Sequence, residues 1–205
     1  MEIAALASTG LAFFIVAVSP GPATLSNATI AMAEGRATSL KYGAGLSCGL
    51  VFWGLIAATG MGAVLQGSLY LLPILKIAGG VYLLWLAVQS ARSVWVSTPE
   101  KASVEDSKRW FLRGLLLNMS NPKSVIAWMA ALSIGLDANT DVWSVATATL
   151  VCIAVGFITN ALYSFVFSIG GMMRGYQRLR RRINAVVAGL FAFAGLGMIR
   201  SAFVQ

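Results

Sequence analysis

The sequence predicts an all-α membrane protein: six transmembrane helices forming two inverted three-helix repeats, with the first and fourth helices broken at proline. Three observations predict it. Apolar residues make up 58% of the 205 positions and charged ones 11%, with no histidine and a mean hydropathy of +0.80; a soluble domain carries about 25% charged residues. The apolar residues gather in stretches of about twenty or more, the length of one bilayer crossing. Finally, twelve of the fifteen Lys and Arg fall between alternate stretches, as loop charges do in a multi-pass membrane protein.

The elements follow in order, with helices expected over 3–33, 43–66, 72–95, 110–135, 142–170 and 184–204. The first is too long for one straight crossing, and Ser19-Pro20-Gly21-Pro22 lies near its middle. Only Glu2 precedes it, so it reads as a retained span rather than a signal peptide, which would carry a positive n-region. Gly43, Gly45 and Gly49 give the second helix a small face, and Gly79 and Gly80 do the same for the third. Ser97 to Lys108 is the polar linker. It divides the chain into a first repeat over 1–98, a cytoplasmic linker over 99–109 and a second repeat over 110–205. The fourth helix contains Asn118-Met119-Ser120-Asn121-Pro122-Lys123, the fifth Asn160 and Tyr163, and the sixth a small face of Ala188, Ala192 and Gly195. Small faces allow close helix approach, either within one protomer or in a homodimer. Cys48 and Cys152 stand alone in spans and read as packing residues.

Positive charge lies after helices one, three and five, whereas the loop after helix four has Asp137 and Asp141. Positive loops stay in the cytoplasm, so both termini are expected outside. Three helices per half is an odd number, and the second half therefore runs upside down relative to the first. Many transporters build two access states around one site in this way.

Proline in a helix removes a backbone hydrogen bond and clashes with the preceding turn. In lipid such a break persists only where protein or water satisfies the freed groups. Ser19-Pro20 and Asn121-Pro122 each have the order of an N-cap and a first helical residue. Each would start a half-helix whose free N–H groups and positive dipole end face the membrane interior, a receptor for a carboxylate. Gly21 would let the backbone come close to a ligand. Alternatively, both breaks are structural kinks that shape the bundle. Lys123 is the cation nearest the centre of a span; it either holds a substrate carboxylate or snorkels toward an interface. Ser19, Thr24, Asn27, Asn118, Asn160 and Tyr163 are further polar candidates, each open to a plain interhelical hydrogen bond.

Asp and Glu are absent from the middle of every span. This disfavours a cationic substrate and a metal site, which call on intramembrane carboxylates, His or Cys. A membrane enzyme lacks its nucleophile–base pair or paired acids. The net charge of +8 sits in short loops and implies a lipid bilayer rather than nucleic acid as partner. A non-transporting scaffold or regulatory subunit, and a passive pore, stay open.

Ser19-Pro20-Gly21-Pro22, the run from Gly79 to Leu86 (GGVYLLWL), and Phe111-Leu112-Arg113-Gly114 leading to Asn118 and Asn121-Pro122-Lys123 resemble the LysE/RhtB family of amino-acid exporters over the whole chain. The resemblance implies secondary-active amino-acid efflux across the bacterial inner membrane, coupled to protons, without a cofactor. Carried over, its motif residues are Pro20, Gly21, Pro22, Asn121, Pro122 and Lys123. Many members, especially those resembling lysine exporters, carry an acid just after a glycine in helix two, where this chain has Gly49-Leu50. That departure puts cation recognition and proton coupling through this position in doubt. It favours small neutral substrates such as leucine, threonine or homoserine lactone-like compounds.

Overall fold

A computed structural model describes residues 3–67, 71–92, 109–135 and 141–203. The described residues form eight α-helices: α1 Ile3–Val18, α2 Pro22–Ala33, α3 Gly35–Gly67, α4 Leu71–Arg92, α5 Trp110–Met119, α6 Pro122–Gly135, α7 Val142–Phe167 and α8 Met172–Phe203. The polar linker, the Asp137 loop and the turn after Gly67 lie outside them.

Both expected breaks are present. α1 and α2 meet at a 60° bend, and α5 and α6 are separated by Ser120 and Asn121. Among the described residues three helices are long and apolar enough to cross a membrane, or four when the bent α1–α2 pair is one span. α4 adds 22 residues, and α5 and α6 contribute 10 and 14. The outer surface is apolar: Ile3, Trp143, Phe193 and Phe203 are each at least 75% exposed. Such a surface suits lipid rather than water.

Two helix starts differ from expectation. α3 begins at Gly35 instead of 43, and α8 at Met172 instead of 184. The Arg-rich stretch Arg174 to Arg182 is thus helical, because arginine is a good helix former whose long stem lets the charge reach water. Glycines set both turns, Gly35 at φ +83° and Gly171 at φ +86°, in the left-handed region that glycine enters without strain. At the start of α7, Asp141 accepts from the Ser144 amide at 3.1 Å. The Ser144 side chain, and after it this amide, hold the Asp141 carboxyl below its ordinary range.

Packing follows the small residues. A Cβ at Gly45 would strike the Phe111 carbonyl, and one at Gly114 the Tyr42 carbonyl, so α3 and α5 cross backbone to backbone. Gly80 and Gly195 do the same for α4 and α8, each Cβ position lying 2.8 Å from the other's carbonyl oxygen. These small faces serve contacts within the chain. The first broken pair packs on α7 and the second on α3, and α1 also touches α6.

Candidate functional site

The carbonyls left open by the first break are filled from the other half of the chain. Pro20 has no N–H and disfavours helix at the residue before it, so α1 stops at Val18. Tyr163 Oη, from α7, donates to the Val18 carbonyl at 2.9 Å. Lys123 Nζ, from α6, donates to the Ser19 carbonyl at 3.1 Å and also to Ser19 Oγ. Ser19 Oγ in turn donates to the Val16 carbonyl at 2.7 Å. The Lys123 side chain therefore crosses to the first break instead of running to an interface.

Ser19 is not the cap of the second half-helix. α2 starts at Pro22 with Gly21 as N-cap, and the Gly21 amide donates to Thr24 Oγ1 at 2.9 Å. The reason is the second proline: Pro22, with its fixed φ, takes the first helical position. Ser19 is left to close α1. Gly21 also makes room for the ammonium, because a Cβ there would lie 3.2 Å from Lys123 Nζ.

At the second break Asn121 does act as a cap, its Oδ1 accepting from the Lys123 amide at 3.1 Å, while the Ser124 amide donates to the Asn121 carbonyl at 3.0 Å. Trp53 Nε1, from α3, satisfies the Met119 carbonyl at 3.2 Å. Asn118 Nδ2 donates to the Leu46 carbonyl at 2.6 Å, and its Oδ1 accepts from Ser124 Oγ. The two half-helix starts therefore differ. The first amides of α6 are occupied by Asn121, whereas the Ala23 and Thr24 amides of α2 have no acceptor among the described residues. Only one of the two expected anion-receiving ends is open.

That end faces a cavity between the breaks. Its polar side is lined by Gly21, Thr24, Asn118, Asn121, Lys123 and Ser124, with Thr159 and Asn160 from α7. Its apolar lining comes mainly from Phe13, Val16, Ala17, Leu50 and Gly156. The space open to water centres is about 50 Å³, enough for roughly three or four waters. Of the described acids, Glu34 caps the end of α2 and Asp141 the start of α7, so neither belongs to this cavity. Electrostatically, the site is a half-buried ammonium beside free amides and neutral oxygens, suited to an anion.

Of the sequence candidates, Gly21, Thr24, Asn118, Asn121, Lys123 and Asn160 line the cavity. Ser19 and Tyr163 hold the break behind it. Pro20 and Pro22 shape that break, and Pro122 opens α6. Asn27 is fully buried away from it, donating to the Asn160 carbonyl at 3.0 Å and accepting from Ser39 Oγ at 2.8 Å. Phe13, Ser124, Gly156 and Thr159 were missed. Gly156, a lone glycine in a long apolar helix, was the available signal.

The LysE type translocator family matches residues 14–202. The threonine efflux protein of Salmonella typhi is 29% identical over 203 residues, covering 95% of this chain and 97% of that protein. The threonine efflux protein of Escherichia coli (strain K12) is likewise 29% identical over 202 residues, with the same coverage. The homoserine/homoserine lactone efflux protein of Salmonella typhimurium is 31% identical over 119 residues, 58% of this chain and 57% of the relative. No solved structure matches the chain.

Proposed function

The chain belongs to the LysE type translocator family, and we propose that it exports small neutral amino acids across the bacterial inner membrane, driven by protons. The observation that carries this reading is the cavity at the paired breaks, where the Lys123 ammonium meets the open start of α2 with no acid among the described lining residues. A substrate carboxylate would take the Ala23 and Thr24 amides and draw Lys123 Nζ from Ser19. Gly21, between Pro20 and Pro22, gives the carboxylate access. Asn121 and Pro122 fix the Lys123 backbone, and Asn118, Ser19 and Tyr163 hold the two breaks together. Among the described residues the substrate ammonium would meet neutral acceptors such as Asn160, which disfavours a second positive charge on the substrate.

In this reading the chain has six spans in two inverted halves, 1–98 and 110–205, joined by the cytoplasmic linker 99–109, with both termini outside. The reciprocal packing supports it, since α1–α2 lies on α7 as α5–α6 lies on α3. The halves would rock about the cavity to expose it to each side in turn. In proteoliposomes with an imposed pH gradient, the purified protein should move labelled threonine saturably. Absence of any amino-acid flux, while a related exporter works in the same vesicles, would refute the proposal.

A further inference from the structure

We propose that the apolar end of the cavity is the subsite for the substrate's side chain, and that Leu50, seated against Gly156 and Phe13, sets its size limit. The inference rests on the transport reading above. Phe13 comes from α1, Leu50 from α3 and Gly156 from α7, and all three line the same cavity as Lys123. At Gly45, Gly80 and Gly114 the missing side chain lets backbones touch. Gly156 differs: a Cβ there would lie 2.8 Å from Leu50 Cδ1 and 3.7 Å from Phe13 Cε1, two side chains of the cavity wall. The absence of a side chain at 156 is what leaves the Leu50 methyl in place.

The two sides of this wall differ in freedom. Phe13 is 1% exposed and backed by the fully buried Trp128, with ring centroids 4.7 Å apart. That aromatic pair is a fixed surface. Leu50 is only partly buried, and its flexible end is the part that meets Gly156. Leu50 is therefore the adjustable element. Wall and ammonium line one small cavity, so a zwitterion whose carboxylate is held by Lys123 would have its side chain beside Leu50. A charged side chain would lose its hydration against this wall without a partner. A large apolar one would meet Leu50.

The test compares transport of threonine and leucine, each measured separately, by wild type, Leu50→Ala and Gly156→Ala in proteoliposomes. Leu50→Ala widens the subsite, and the leucine-to-threonine ratio of kcat/KM should rise about tenfold or more, the scale of discrimination by single methylenes. Leu50→Val, which removes less, should shift the ratio the same way and serves if the alanine variant does not insert. Gly156→Ala pushes the Leu50 methyl into the cavity and should lower the ratio. If wild type carries threonine but these substitutions change both substrates by one common factor, the subsite assignment is overturned and the transport reading stands. If wild type carries no amino acid, both fall.

Discussion

Lys123 has three N–H donors and directs them at Ser19 and the cavity, a position made possible by the missing Cβ at Gly21. Gly21→Ala would place a methyl group 3.2 Å from the ammonium, and the account expects a raised KM for threonine with membrane insertion unchanged. Asn121→Ala removes the cap on the Lys123 amide. It should cost about 0.5–2 kcal/mol of stability, read as a lower unfolding temperature in detergent. The motif residues of the breaks were legible in the sequence because proline, glycine and a lysine near the centre of a span each break a local rule. Phe13 was not: nothing in a run of apolar residues says which of them faces a cavity, since that depends on how three distant helices meet, and Gly156 stood out only as the one glycine of its helix.

At the scale of elements, the two proline breaks look alike in sequence and are built differently. In the first, Pro22 takes the N1 position and Gly21 becomes the cap, so the amides of α2 stay open. In the second, the Asn121 side chain closes the start of α6. The order Ser-Pro and Asn-Pro implied equal caps, and the extra proline two residues on made the difference. The helix crossings give a sharper test. Gly45→Ala and Gly114→Ala each force the α3 and α5 backbones apart and should destabilise the protein by about 1–3 kcal/mol or prevent insertion. Gly189→Ala, with open space at its Cβ, should be neutral or gain up to about 1 kcal/mol of helix propensity. Equal effects at the three sites, measured by thermal unfolding, would contradict the packing. At the start of α7, Asp141 has a lowered folded pKa. Its contribution is therefore present above the unfolded value near 4 and is lost as the pH falls through the lower folded value.

As a whole, the described residues form a bundle with an apolar surface, positive charge at the helix ends and a polar cavity where the breaks face each other. Its hydropathy made the class readable, because twenty apolar residues in a row have no other stable home. The Arg-rich start of α8 was harder to place, since charge marks the membrane boundary and does not mark where the helix begins. The proposed topology expects a cysteine placed at Arg178 to react with a membrane-impermeant thiol reagent from the cytoplasmic side and one at Gln205 from outside, in a background lacking Cys48 and Cys152. The reverse pattern would invert the assignment. The central claim is that Lys123, drawn from Ser19, receives the substrate carboxylate. The most direct measurement is the initial rate of labelled threonine transport into proteoliposomes under one imposed pH gradient, with wild type and Lys123→Met reconstituted in equal amounts. The variant's rate should fall by roughly ten- to a hundredfold, the worth of one hydrogen bond to a charged group, with insertion unchanged. An unaltered rate would contradict it.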